Sequence, residues 1–220
     1  MIHMLRKESG INKTMTNHKD KYFEVHITVE NMEQYYLEDF CKHFKKKLLV
    51  VSPNCTKNNS DLDYMVTFDV NNDFDYTFGL MEHISNLIKF NESDATISRQ
   101  KIECSEYLDG LPFQYVETHF VINEYESFRK SYLRRIDDLI NHESDVLFIA
   151  YNIKSNKTIL TLRTNGYVWA EKHHIDIKSK ILNDIVQFDK TVTEYCIHDT
   201  NVELDNKYIE IFEDFVWRYN

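Results

Sequence analysis

Tyr22–Glu30 reads YFEVHITVE, and Gln114–Asn123 reads QYVETHFVIN. Aligned on their histidines, the stretches set Glu24 over Glu117 and His26 over His119, 93 residues apart, close to half the chain. Both are rich in β-branched and aromatic residues, which predicts strands. A strand sends residues i and i+2 to one face. Glu24, His26 and Thr28 therefore share one face, and Phe23, Val25, Ile27 and Val29 share the other. The second copy repeats this, with Glu117, His119 and Val121 against Val116, Thr118, Phe120 and Ile122. A polar stripe on one side of two apolar strands marks a site and points to an internal duplication.

Working outward, each copy opens a run of similar elements. Asn31 reads as an N-cap for a helix to about Lys47, striped by Leu37, Phe40, Cys41 and Phe44. Leu48–Ser52 reads as a short strand, and Asp63–Val70 alternates strictly, with Met65, Thr67 and Asp69 on the polar side. A helix from about Tyr76 to Phe90 and a strand at Ala95–Ser105 complete a β-α-β-β-α-β order. The second half reads the same way. It has a strand at Phe113–Asn123, a helix at 126–141, a hairpin of Val146–Asn152 and Thr158–Arg163, a helix at 168–188 and a strand at Thr191–His198.

The expected fold class is therefore α+β, with two tandem ferredoxin-like repeats packed about a pseudo-two-fold axis. The expected divisions are a polar leader at 1–19, repeats at 20–105 and 113–205, a connector at 106–112, and an amphipathic segment at 206–220. In such repeats the first and fourth strands are neighbours. Arg99, Lys101 and Glu103 then join Glu24, His26 and Thr28 on one open face, and Arg163 joins Glu117 and His119 on the other. The inward side of Thr191–His198 is ambiguous, which leaves Glu194 and His198 behind Asp199 as candidates. Asp199, Asn201 and Asp205 read first as turn chemistry.

Composition narrows the function. Lys+Arg 26 against Asp+Glu 36 gives a net charge of −10, which argues against broad nucleic-acid binding. Cys41, Cys55, Cys104 and Cys196 are scattered without a CxxC pair and read as reduced thiols of a cytoplasmic-type compartment, the host cytoplasm for a viral protein. No stretch reaches the ~18 apolar residues of a membrane span. Heavy use of Asn, Lys, Ile and Asp fits an AT-rich genome such as that of a large DNA virus or a protist. Phosphate loops, nucleophile elbows and zinc signatures are missing, so no cofactor or metal is expected.

Two imidazoles across a cleft suit general acid and base work near neutral pH. Arg99, Lys101 and Arg163 suit an anionic oxygen, and Thr28 can donate to it. His26-Ile27-Thr28 resembles the His-x-Thr/Ser motif of the 2H (LigT-like) phosphoesterases, which are bilobal and carry one motif per lobe. The second copy departs from it, with Val121 where the hydroxyl belongs. The resemblance implies a metal-independent phosphoesterase, a hydrolase acting on a small nucleotide or an RNA-end phosphate. His26 and His119 would be acid and base, Thr28 a third catalytic group, and Glu24, Glu117, Arg99, Lys101, Glu103 and Arg163 the binding groups. The chain is also similar to an uncharacterised family with YFExH strands, an RxKIE strand and an EYCxxDxN segment, here Arg99–Glu103 and Glu194–Asn201.

The competing expectation is a non-catalytic ligand-binding or interaction module whose Glu-x-His network is structural, since buried charges are usually paired. A metal held by the two Glu-x-His pairs is a further alternative. Geometry separates these readings. Catalysis calls for free imidazoles on the order of 5–8 Å apart with a path to solvent. Imidazoles tied up by Glu24 and Glu117 in a closed interface favour the module.

Overall fold

The structure is a computed structural model and describes residues 21–52, 62–122, 145–164 and 188–208. The expected helices at 126–141 and 168–188 and the segment after Tyr208 lie wholly or almost wholly outside the described residues. The elements run β1 (Lys21–Glu30), α1 (Gln34–His43), β2 (Lys47–Ser52), β3 (Asp63–Asn72), α2 (Phe74–Asn91) and β4 (Thr96–Cys104). They continue as β5 (Tyr115–Ile122), β6 (Asp145–Asn152), β7 (Lys157–Thr164) and β8 (Lys190–Asp199), followed by a 3-10 turn at Val202–Asp205.

All eight strands join one closed antiparallel barrel in the order β1-β3-β2-β6-β7-β5-β8-β4. This corrects the expectation of two tandem ferredoxin-like repeats with open faces packed together, and with it that of a ferredoxin-like hydrolase. The expected neighbours are present, β1 beside β4 and β5 beside β8. However, β2 also pairs with β6 and β4 with β8, so the strands of both halves are stitched into a single wall. Closing the sheet removes the edges that two separate sheets would expose. The seams differ in extent: β4–β8 runs from Lys101↔Asp199 to Cys104↔Tyr195, whereas the described β2–β6 register is Val51↔Asn152 and Ser52↔Tyr151.

The strand alternation then sorts side chains between lumen and exterior. Phe23, Val25, Ile27 and Val29 point outward and are almost fully buried in a cluster with Leu37, Phe40 and Cys41 of α1 and Met81, Ile84 and Ile88 of α2. The hydrophobic core of this half thus lies outside the barrel, under the helices. On the corresponding face of the other half Phe120, Leu160 and Leu162 are fully buried. The polar faces of the strands line the lumen.

Helix boundaries differ from expectation for local reasons. Asn31 adopts φ 58 and ends β1, so the N-cap of α1 falls on Glu33. α1 stops at His43 because Lys45 takes a left-handed φ of 53, with Lys46 N–H donating to the Cys41 carbonyl at 2.8 Å and Lys45 N–H to that of Lys42. That is a Schellman closure made without glycine. Lys47, expected within the helix, instead opens β2 and lies 3.6 Å from Asp69. The β6–β7 hairpin turns at Asn156, whose φ of 56 suits a short polar side chain.

Two bulges set which residues face inward. Between β1 and β4 the register passes from Thr28↔Arg99 to Val29↔Ile97, leaving Ser98 as the extra residue. Between β4 and β8 it passes from Ile102↔His198 to Glu103↔Cys196, leaving Ile197 extra. Glu194 and Asp199 are five apart and would fall on opposite faces of a regular strand. The bulge at Ile197 resets the phase so that both reach the lumen. His198 points outward, its ring 5.1 Å from that of Phe78.

Candidate functional site: a charged and apolar barrel lumen

The lumen forms a cavity of about 250 Å³ to which every strand contributes side chains. Its walls are unlike. Strands β1, β4, β5 and β8 supply Glu24, His26, Thr28, Arg99, Lys101, Glu103, Glu117, His119 and Glu194. Strands β2, β3, β6 and β7 supply mainly Leu49, Val51, Met65, Phe148, Ala150 and Ile159. The charged groups expected on two open faces therefore come together on one side of a closed barrel. Thr67 is buried, whereas Asp69, on the same polar side of β3, is exposed and does not line the cavity.

On the charged wall nearly every cation is already held. Lys101 Nζ sits 2.6 Å from both Glu103 Oε1 and Glu117 Oε2, bridging the two halves. Arg163 Nε and Nη2 donate to Glu117 Oε1 at 2.9 and 2.7 Å, and Nη2 also bonds Asp205. Arg99 grips Asp199 with Nε and Nη2 at 3.0 and 2.6 Å and reaches Asp205 with Nη1 at 2.8 Å. Tyr115 donates to Asp199, and the Arg163 guanidinium lies 4.3 Å over its ring. These groups are all nine-tenths or more buried.

The histidines are held as well. His26 Nε2 lies 3.1 Å from Glu103 and 3.8 Å from Glu24, while His119 Nε2 lies 3.2 Å from Glu194 and 3.6 Å from Glu117. His119 Nδ1 adds a 2.9 Å bond to Thr161. Burial alone would push both imidazoles down, but the carboxylates outweigh it and raise both pKa values. Burial pushes the Glu24 carboxyl up, helped by Glu194 and Glu103 and opposed by His26.

Sequence reasoning misses part of this arrangement. Asp205 reads as turn chemistry, yet it is buried and joins Arg99 to Arg163. Asp63 belongs to no motif, yet it accepts from Lys207 Nζ at 2.6 Å and from the Tyr208 hydroxyl. Together these contacts fold residues 202–208 over the barrel end where Thr28, Met65 and Arg99 lie. Tyr115 could have been found, because it sits two before Glu117 and so shares its face.

Glu103, Glu117 and His119 bring one ligand atom each within 4.8 Å of one another, a spacing that could hold a metal ion. The Lys101 ammonium already lies between the two carboxylates, so a metal would have to displace it. Among the described residues of this wall, His26 Nδ1 and Thr28 Oγ1 are buried with neither a hydrogen-bond partner nor an ion pair on that atom. Carboxylates outnumber cationic groups on the lining: Glu24, Asp63, Glu103, Glu117, Glu194 and Asp205 against Arg99, Lys101, His26 and His119.

The opposing shifts define a stability optimum. Burial raises the Glu117 carboxyl, but Lys101 and Arg163 outweigh it and hold it at about 2; Arg99 likewise holds Asp199 below its ordinary value. Their stabilisation is complete above the unfolded carboxylate range of about 4 and is lost as pH falls toward 2. His26 and His119, raised, contribute fully below about 6.5 and progressively less as pH rises through their folded values. Thermal midpoints measured by circular dichroism across pH 3–9 are expected to peak between about 4.5 and 6.5. A monotonic profile would contradict the pairing.

No family model matches the sequence, and no curated protein matches it. Among solved structures, one provisionally assigned as a chlorite dismutase covers 91% of this chain and 100% of its own, with 8% identity and a TM-score of 0.31. A variant of the chlorite dismutase from Candidatus Nitrospira defluvii covers 89% of this chain and 95% of its own, with 11% identity and a TM-score of 0.32. A heme-binding protein from Thermus thermophilus covers 80% of this chain and 91% of its own, with 8% identity and a TM-score of 0.30. Overlaps this loose carry no argument about chemistry. Among the described residues no helix is long and apolar enough to cross a membrane.

Proposed function

We propose that the chain is a binding module whose barrel lumen takes up a small, largely apolar molecule. The observation that carries this reading is the division of labour between the walls. The charged wall is consumed by its own ion pairs, with His26 and His119 each shared between two carboxylates. A base must have a free nitrogen and a phosphate must find free cations, and little of either is on offer. The other wall leaves Leu49, Met65, Phe148, Ala150 and Ile159 facing a cavity of about 250 Å³. An apolar cavity with a few converging polar groups is the usual form of a small-molecule site. At roughly 30 Å³ per water-sized group it accommodates about eight such groups, the size of a substituted benzene.

The test is a titration with toluene and ethylbenzene, followed by NMR chemical shifts of the lumen methyl groups. Saturable shifts of Leu49, Met65 and Ile159 are expected. Ala150→Phe places a ring in the cavity and should abolish them while leaving the circular-dichroism spectrum intact. Wild type that ignores both hydrocarbons, or a filled variant that binds them equally well, would remove the reading.

A further inference from the structure

We infer that Thr28 and His26 form the polar anchor of this lumen and select a ligand carrying an uncharged oxygen, a carbonyl or hydroxyl, on its apolar body. The inference rests on the lumen-binding reading and adds the chemistry of the ligand's head. Thr28 is 1% exposed and lines the cavity, yet its hydroxyl has no hydrogen-bond partner. A buried hydroxyl without a partner is costly, so such groups are ordinarily satisfied by something. His26 Nδ1 is buried and unpartnered in the same way, two residues along the same face of β1.

The His26 ring cannot turn away to satisfy itself, because Nε2 is fixed on Glu103 at 3.1 Å. That contact places the Nε2 proton toward the carboxylate and leaves Nδ1 without a partner. Two residues of a strand rise about 7 Å, more than twice a hydrogen-bond length, so the two side chains are neighbouring points of attachment along one face rather than a clamp on a single atom. The neighbour of Thr28 across the β1–β3 ladder is Met65, and Met65 stands opposite Leu49 on β2, so the anchor adjoins the apolar wall. An oxygen held at Thr28 therefore directs the rest of the ligand toward Met65 and Leu49.

Charge decides the form of that oxygen. The cations of this wall are already taken by its own carboxylates, Arg99 beside Thr28 in the β1–β4 ladder by Asp199 and Asp205, so a carboxylate or phosphate head finds no free counter-charge. A cationic head would face the charge of a protonated His26, with Thr28 Oγ1 its one acceptor in the anchor. An uncharged oxygen can accept from Thr28, or from His26 Nδ1 when that ring carries both protons, and a hydroxyl can also donate to Thr28 Oγ1 or to an unprotonated Nδ1.

The full chain is titrated calorimetrically with acetophenone, ethylbenzene, benzoate and benzylamine, in wild type and Thr28→Val. Wild type is expected to bind acetophenone about fivefold or more tighter than ethylbenzene, the worth of about one net hydrogen bond. Benzoate and benzylamine should bind more weakly than either. Valine conserves the shape of threonine, so Thr28→Val should still bind ethylbenzene as wild type does but lose the preference for the ketone. Its ligand-free thermal midpoint should be unchanged or higher, because the hydroxyl removed has no partner. Equal binding of acetophenone and ethylbenzene by wild type, a preference that survives Thr28→Val, or tightest binding of a charged member would each overturn the anchor and leave lumen binding standing. Failure of every member to bind would overturn both.

Discussion

Lys101→Met is expected to cost about 3–5 kcal/mol of folding stability, the largest effect of any single lumen substitution, read by urea denaturation. The ammonium lies 2.6 Å from Glu103 and from Glu117, so its removal leaves two buried carboxylates facing each other. Methionine fills similar volume, and the cost is therefore electrostatic rather than a cavity. The same change opens a second expectation. With Lys101 gone, Glu103, Glu117 and His119 offer ligand atoms within 4.8 Å of one another. Mn²⁺ or Zn²⁺ should then stabilise the variant, by about 2.7 kcal/mol at a hundred times the dissociation constant, while wild type is indifferent. A variant as stable as wild type would show that the bridge is not needed, and metal stabilisation of wild type would show that the lysine does not block the site.

Asp205→Asn comes next, with an expected loss of about 3 kcal/mol. One carboxylate receives Arg99 at 2.8 Å and also Arg163, and both guanidinium groups are buried. Asparagine keeps the shape and one acceptor but removes the charge both arginines share. Asp205 also tethers the 3-10 turn at Val202–Asp205 to the barrel, so its loss should free residues 202–208 as well as weaken the wall. Limited proteolysis after Asp199 should accelerate in the variant. Thermal midpoint and proteolysis unchanged together would mean that the paired arginines are satisfied by Asp199 and Glu117 alone.

What the sequence disclosed depended on the distance over which a rule operates. The repeated Glu-x-His and the polar phase of β1 and β5 follow from alternation within one strand, and they hold. The adjacency of β1 and β4 follows from element order, and it brings Arg99, Lys101 and Glu103 beside Thr28, His26 and Glu24 as expected. The phase of β8 was hidden, because the bulge at Ile197 exists only in its pairing with β4. Asp205 was hidden for a related reason. A carboxylate in a turn looks solvated until the arginines 106 and 42 residues away are placed against it. Closure of the barrel was invisible too, since β2–β6 and β4–β8 join halves that periodicity treats separately. The lost open faces are the main casualty, and with them the picture of two free imidazoles across a cleft.

The unequal seams have a mechanical consequence. A closed ring of strands parts at its least-bonded junction, and among the described residues β2 and β6 meet through Val51↔Asn152 and Ser52↔Tyr151, supported by Ile153 N–H on the Val50 carbonyl at 2.9 Å. The opposite junction, β4 to β8, is longer and is braced inside by Arg99 on Asp199. The ring therefore behaves as a clasp, hinged on the ionic side and sprung on the greasy one. Unfastening it would break the exposed Lys154–Glu38 pair at 2.8 Å and bare Val51, Phe148 and Ala150, while the buried salt bridges of the lumen stayed shut. A guest could then slip in beside the hydrocarbon wall without any buried charge having to meet water.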